Sequence, residues 1–550
     1  MRIGILTRDT NSLFNWELRI IEHLKNNPDF EIVVLMKDGR HQQDVSESKI
    51  SKISNLLKRK NLFGKFLFYT QMNIEQTFFY KRPTSVNKPE ITSYLEQIET
   101  IDLFPKRKGF LDIFSDDEAS KVKAYNLDVI LRFEFNIIRG DILNAATYGI
   151  WSFHHGDNAI NRGGPAGFWE IVLKQPVVGV TLQQLTPELD GGLVIDKAYY
   201  SKHWAFAKTN MMLTENSVNL LLKNLRLLKQ GTYNPTKSLV YYNELYVAPK
   251  PLIALKYIWH FYSTFLKKVL QRVSEKFGKR ICCWTLFIGK GQFMHSTLFR
   301  IKPVKLPKGE FWADPFFYKH NDTTYVFFEN YSYKTKLGKI SCGKVENKVI
   351  TNVVDVLDLD YHLSFPYVFE YNNELFMMPE TSENKRLEIF KCIEFPHKWE
   401  LHKTAFEGER IVDAFFHTDT SSQMWLFLNK QTAPESEADS ELYIYKIDSP
   451  ELNKIESHRL NPVIIDARVA RNAGTTFTNN GKVYRPSQSN THGIYGRALN
   501  INEIKTLTIN DYKEETIITV ESNFRKGLER IHHLHQIDDM FVFDAAYKRM

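Results

Sequence analysis

The sequence predicts a multidomain protein: an N-terminal α/β unit of Rossmann-like build, followed by an all-β five-bladed propeller. Three observations predict it. The chain has 550 residues, more than one ordinary core organises. Before residue 250, short apolar runs alternate with amphipathic helical patterns, as in a parallel sheet covered on both faces. From residue 311, short strands recur in hairpins about every 50 residues, the mark of a propeller.

The elements follow in chain order. "MRIGIL" reads as a first strand, "WELRIIEHLKNN" as an amphipathic helix and "FEIVVLM" as a second buried strand. Residues 40–120 are less regular, basic at first and then mixed, and read as an insertion with helical pieces. "LDVILRF", "GIWSF" and a run from Val177 supply further strands. These signals place an α/β domain at 1–230, a linker at 231–300 and the propeller at 301–550. The linker carries a long helix at 252–279, with an aromatic apolar face and a basic C-terminal half. Two readings stay open for that helix: peripheral contact with a membrane surface, or an interdomain helix that packs its stripe on a neighbour.

The propeller expectation rests on five stretches. They are "DPFFYKHNDTTYVFFEN", "FPYVFEYNNELFMMPET", "DAFFHTDTSSQMWLFLN", "AGTTFTNNGKVYRPSQS" and "HHLHQIDDMFVFDAAY". Each is a short apolar strand, a polar turn and a second apolar strand. They start at Asp314, Phe365, Asp413, Ala473 and His532, which are 51, 48, 60 and 59 residues apart.

Composition narrows the function classes. A hydrophobic share of 43% and a charged share of 25% are those of a soluble globular protein. The net charge of +8 is modest for this length and does not point to nucleic acid. The four cysteines have neither zinc-site nor disulfide-framework spacing. No other metal-ligand pattern stands out. The N-terminus has no long apolar core of a secretory signal, and no apolar run is long enough to span a bilayer. A cytoplasmic location is the default expectation.

The polar stretch "WSFHHGDNAINRGGPAGFWE" follows the strand "GIWSF" and puts His154 at its end. Sites in open α/β sheets lie outside the carboxyl ends of the strands. Asp190, before a Gly-Gly pair, follows the next strand. Position thus makes His154 and Asp190 candidates for one site, in which a carboxylate sets the tautomer of a histidine base.

Here the chain resembles the formyltetrahydrofolate-dependent formyltransferases, the family of methionyl-tRNA formyltransferase, glycinamide ribonucleotide transformylase and the sugar N-formyltransferases. Their hallmark is Asn-x-His at a strand end, an Arg-Gly turn, and an Asp in a later Leu-Asp-x-Gly. This sequence has Ser152-Phe153-His154, Arg162-Gly163 and Leu189-Asp190-Gly191-Gly192, and "GVTLQQLTPELDGG" matches the family's Gly-Val-Thr strand and loop. The resemblance covers residues 1–230 and is strongest from 126 to 196. It implies 10-formyltetrahydrofolate as donor, His154 as base with Asp190 as its partner, Ser152 as oxyanion donor, and Arg162 as loop support or anion contact. The chain departs from the family at Ser152, which stands for Asn, and at Gly156-Asp157-Asn158-Ala159, which stands for Ser-Leu-Leu-Pro. A Ser hydroxyl reaches less far than an Asn amide, so either another donor substitutes, with His155 or Asn158 the nearest in sequence, or the chemistry differs from the family's. Asp157 is a second carboxylate or a turn former.

Residues 311–550 resemble the propellers of arabinanase- and xylosidase-type glycosidases, and more closely the N-terminal domain of glucosamine inositolphosphorylceramide transferases. "FWADPFF", "SFPYVFEYNNELFMMPETS" and "ARNAGTTFTNNGKVYRPSQ" carry the likeness. It implies a central carbohydrate site. Asp314 and Asp413 start inner strands, Glu329 and Glu380 end second strands, and Arg471, Trp312 and Tyr484 are contacts. Sugar binding, paired-carboxylate hydrolysis and a scaffold role remain open, in that order.

Together the two resemblances imply transfer of a formyl or related acyl group to an amino group of a sugar or nucleotide sugar, in cell-surface polysaccharide or glycolipid synthesis. The alternative is a carbohydrate-processing propeller protein with a degenerate formyltransferase domain.

Overall fold

The computed structural model describes residues 1–8, 13–42, 61–80, 89–188, 191–276, 281–434 and 436–549. They form two compact units, Met1–Thr264 and Phe265–Met550.

The first unit is built on a seven-stranded sheet. Its strands are β1 (Arg2–Thr7), β2 (Glu31–Asp38), β3 (Glu99–Leu103), β4 (Val129–Arg132), β5 (Ile150–His154), β6 (Val178–Gln184) and β7 (Leu193–Tyr200), in the order β7-β6-β5-β4-β1-β2-β3. β3, β2, β1, β4 and β5 run parallel, while β6 and β7 are antiparallel to their neighbours. Ile3, Ile5, Val34, Ile130 and Ile150 are all but fully buried, which is why the parallel strands read as unbroken apolar runs. The helix Asn15–Lys25 follows β1, and the carboxylate of Glu17 accepts from the Phe14 amide at its start.

Two features depart from the expected layout. Within the stretch read as an insertion, Glu99–Leu103 pairs with β2 and extends the main sheet. It is an edge strand with a mostly exposed, polar sequence, so it carries no apolar run to announce it. The expected linker is divided between the units. Residues up to 264 belong to the first, where Thr236 bridges Val194 and the Tyr246 amide donates to the Arg162 carbonyl. Ile281–Lys290, by contrast, pairs with Met540–Arg549 near the C-terminus. The helix Pro251–Lys276 crosses the boundary between the units.

The second unit is all β. It holds five antiparallel sheets, starting with Glu310–His320, Ser364–Tyr371, Ile411–Thr418, Phe477–Asn479 and the set Ile281–Lys290, Met540–Arg549 and Leu528–Ile537. Successive sheets touch: the rings of Phe316 and Phe365, Phe369 and Phe416, and Phe427 and Tyr512 meet in turn, and the Leu534 amide donates to the Ala473 carbonyl. The fifth sheet also meets the first, because Asp544 accepts from the Asp314 amide and His535 Nδ1 from the Phe317 amide.

Candidate functional site

In the first unit the polar stretch sits at the carboxyl end of β5. His154 Nε2 lies 2.8 Å from the Asn161 carbonyl oxygen. A carbonyl only accepts, so the neutral ring carries its proton on Nε2 and its lone pair on Nδ1. Behind it, Asn161 Nδ2 donates to Glu170 Oε1 at 3.0 Å. Burial raises the Glu170 carboxyl above its ordinary range.

Ser152 is buried and faces Arg132 across the parallel register. Arg132 Nη1 donates to Ser152 Oγ at 2.9 Å, while Ser152 Oγ lies 3.3 Å from the Phe153 carbonyl. The hydroxyl proton therefore has a backbone acceptor. The Arg132 Nε is buried and unpartnered, and burial lowers this guanidinium to about 10. Sequence reasoning missed Arg132, although "LDVILRF" ends an apolar strand on a charge.

The other predicted residues of the loop are bonded within the fold. Asp157 Oδ1 meets Lys197 Nζ at 2.5 Å, and Asp157 Oδ2 accepts from the Tyr199 hydroxyl at 2.9 Å. Burial alone would raise this carboxyl, but Lys197 and the remaining donors outweigh it and lower it. Asn158 Nδ2 donates to Ser238 Oγ. Arg162 donates to the carbonyls of Asn158 and Leu239 and to Ser238 Oγ, and its guanidinium lies 4.6 Å from the Tyr241 ring centre. Gly163 has φ +106°, and a Cβ there would run into the Tyr246 carbonyl, so the Arg-Gly turn is the seat of residues 238–246.

His155 points elsewhere. Its ring stacks on Phe153 and meets Trp16 edge-on, and burial lowers it to about 4. It lines a cavity of about 260 Å3 with Phe14, Trp16, Glu17 and Phe133, and His155 Nε2 and Glu17 Oε1 are buried without a hydrogen-bond partner. Burial pushes Glu17 up to about 8. Asp190 lies outside the described residues.

The second unit gathers all five predicted charged residues. Asp314 and Asp413 have left-handed backbones, φ +48° and +51°. Each stands where its strand slips register, between Ala313 and Phe316 and between Val412 and Phe415. Phe365 holds the same place in the second sheet, with φ +45°. A bulge re-aims the side chain at its apex, and non-glycine residues tolerate this conformation where surrounding structure enforces it.

Arg471 Nε donates to Asp413 Oδ2 at 2.7 Å, and its Nη2 lies 3.7 Å from Glu380 Oε2. His532 bonds Asp544 Oδ1 through Nδ1 at 2.7 Å, with Nε2 3.7 Å from Asp314 Oδ1. His362 Nε2 lies 3.4 Å from Glu329 Oε1. Burial, with neighbouring acids, raises Asp314 to about 7 and Glu380 to about 8, and lifts Glu329 well above its ordinary value. Burial alone would lower His532, but Asp544 and Asp314 more than offset it and raise it.

Two expectations shift here. Tyr484 stacks on Phe477 in a hydrophobic core, and Trp312 packs against Phe328. The aromatic rings beside the charges are instead Tyr495, 5.0 Å from the Arg471 guanidinium, and Trp284, stacked at 3.8 Å on His532. Tyr495, His532 and Asp544 were missed. The last two fall in the fifth repeat, whose two strands bring them together. Asp314, His532 and Asp544 place ligand-type atoms within 4.8 Å of one another, but Asp544 already accepts from His532 and from the amides of Asp314 and His533.

Residues 302–540 match the family model of the N-terminal region of glucosamine inositolphosphorylceramide transferase 1. The enzyme of that name from Oryza sativa subsp. japonica is 34% identical over 233 residues, 41% of this chain and 31% of its own length. The Arabidopsis thaliana protein is 34% identical over 222 residues, 40% of this chain and 28% of its own. The chain thus spans about a third of the curated relatives it matches. Among solved structures, a thermostable family-43 glycoside hydrolase aligns with TM-score 0.33 and 13% identity over 43% of this chain and 88% of its own. Glycinamide ribonucleotide transformylase 1 from Symbiobacterium toebii aligns with TM-score 0.27 and 14% identity over 42% and 88%. Both likenesses are loose.

Proposed function

We propose that this chain transfers a formyl or related acyl group to an amino group of a sugar or nucleotide sugar, with the five sheets of the second unit acting as the blades of a carbohydrate-holding propeller. The observation that carries the transfer reading is that His154 and Arg132 both stand at the carboxyl ends of neighbouring parallel strands, with Arg132 opposite Ser152 in the register. His154 keeps a basic Nδ1 because Nε2–H is engaged by the Asn161 carbonyl. Arg132 brings a buried, unpartnered Nε beside Ser152. A base that takes the amine proton and a cation that meets the developing negative charge on the acyl oxygen are what amine acylation needs. Arg132 thus supplies the donor that the Ser152 hydroxyl, already turned to the Phe153 carbonyl, does not. 10-Formyltetrahydrofolate would supply the one-carbon group.

The carbohydrate half rests on the buried charges around Arg471 and on the likeness of residues 302–540 to a transferase named for a glucosamine-bearing glycolipid. A second reading, sugar hydrolysis in that cluster, is favoured by carboxyls held protonated near neutrality beside Asp413.

The test is an acyl-transfer assay from 10-formyltetrahydrofolate to a panel of amino sugars and nucleotide amino sugars, read by mass spectrometry. His154→Gln and Arg132→Leu are each expected to lower the rate by about 10²-fold or more with the fold intact. Transfer unchanged in His154→Gln, or no transfer by the wild type together with cleavage of aryl glycosides lost in Asp413→Asn, rejects the transfer reading.

A further inference from the structure

The helix Pro251–Lys276 carries two apolar faces. One packs into the first unit: Ala254, Tyr257 and Phe261 are almost wholly buried, and Tyr257 donates to Glu75 and accepts from the Phe206 amide. The other is bare. Leu252, Leu255, Trp259, Tyr262, Leu266, Val269 and Val273 follow one another at alternating steps of three and four residues, and each is exposed. Trp259 is 78% exposed, Leu252 65% and Leu266 57%. At about 100° per residue these seven share one stripe roughly 100° wide, and Leu270 falls on it.

Charge decides what such a stripe meets. Lys256 and Lys267 flank one edge and Arg272 the other, with Lys268 behind; all four are exposed, and Glu275 is the one acid among the helix residues whose side chains are described. Two copies of the helix joined along this seam would each bring four cations against that single acid, with no complementary charges beside the seam to set a pairing. An anionic lipid surface answers both features. The apolar stripe enters the boundary between headgroups and acyl chains, aromatic residues settle at that depth, and the flanking cations meet lipid phosphates. Among the described residues no helix is long and apolar enough to cross a membrane, so the contact is one of lying on the bilayer.

We propose that the stripe Leu252–Val273 docks this protein on the surface of an anionic membrane. This goes beyond the proposed reaction and does not depend on it.

The test is flotation of the full chain with vesicles of phosphatidylcholine alone and with about 30% phosphatidylglycerol. The wild type is expected to float with the anionic vesicles and to be released by salt. Trp259→Ser combined with Leu266→Ser is expected to lower the bound fraction about tenfold. These side chains are exposed, so circular dichroism should show an unchanged fold. Replacing Lys256, Lys267, Lys268 and Arg272 by Gln is expected to remove the preference for anionic lipid. Three results overturn the proposal: no flotation of the wild type, flotation untouched by the Trp259→Ser and Leu266→Ser pair, or a wild-type dimer in lipid-free solution that the same pair dissociates.

Discussion

The loop from Ser152 to Gly163 and the cluster around Arg471 are both dense in polar residues, yet they solve opposite problems. In the loop, Asp157 meets Lys197 and Tyr199, while Arg162 is engaged by Asn158, Ser238 and Leu239. Asp157 is paired with a cation, and Arg162 fastens residues 238–241 through neutral acceptors and a ring. In the cluster, Asp314, Glu329, Glu380, Asp413 and Asp544 surround Arg471 and His532. Negative groups outnumber positive ones there, and several carboxyls are pushed toward protonation. Density of polar residues alone therefore does not separate a locally bonded loop from a cluster held in imbalance. A fold that holds buried imbalance forgoes stability that simple pairing would give.

The comparison breaks most sharply at Arg471. Arg471→Leu removes the cation from Asp413 and Glu380 and is expected to destabilise the second unit by about 3–5 kcal/mol. Urea denaturation followed by tryptophan fluorescence measures it. A loss below about 1 kcal/mol would mean that the cluster is as well balanced as the loop.

Arg162→Ala should cost less, about 1–3 kcal/mol, because it strands carbonyl and hydroxyl groups that water can partly reach. The expected signature is faster proteolysis within 238–246 and no change in the second unit. If the second unit's transition moves instead, Arg162 is not a local fastening.

The smallest expected effect is on pH dependence. Glu380 and Asp314 have folded values of about 8 and about 7, raised above their ordinary 4.5 and 3.8. The folded state therefore holds more protons between these limits. Its stability is greatest below the ordinary values and falls as pH rises through the folded ones. Thermal melts should show the second unit losing stability from about pH 5 to about pH 8.5, with a shallower loss in Glu380→Gln. Equal slopes would show that Glu380 is not among the groups holding the extra protons.

Much of this was legible along the chain. The apolar runs of β1, β2, β4 and β5 announced a parallel sheet, and the hairpin spacing announced five antiparallel sheets, because burial on both faces and strand alternation leave one-dimensional traces. Asp314 and Asp413 start their repeats and Glu329 and Glu380 end second strands, places that the repeat pattern marks, whereas Arg471 lies just before the fourth repeat. Less legible were the edge strand Glu99–Leu103, with a polar sequence, and Ile281–Lys290, whose partner Met540–Arg549 lies at the far end of the chain.

The sequence by itself determined which residues alternate, which are buried in strands and which charges recur with the repeat, since periodicity depends only on near neighbours. Tertiary structure alone decided what those residues face. It turned Asp157 and Arg162 into fastenings and placed Arg132 against Ser152. It put Tyr495 rather than Tyr484 beside Arg471, and left one stripe of the Pro251–Lys276 helix bare while burying the other. Each of these outcomes depends on a partner distant in the chain, and the free energy of a buried charge or an exposed ring is set by that partner and not by the residue's own neighbours.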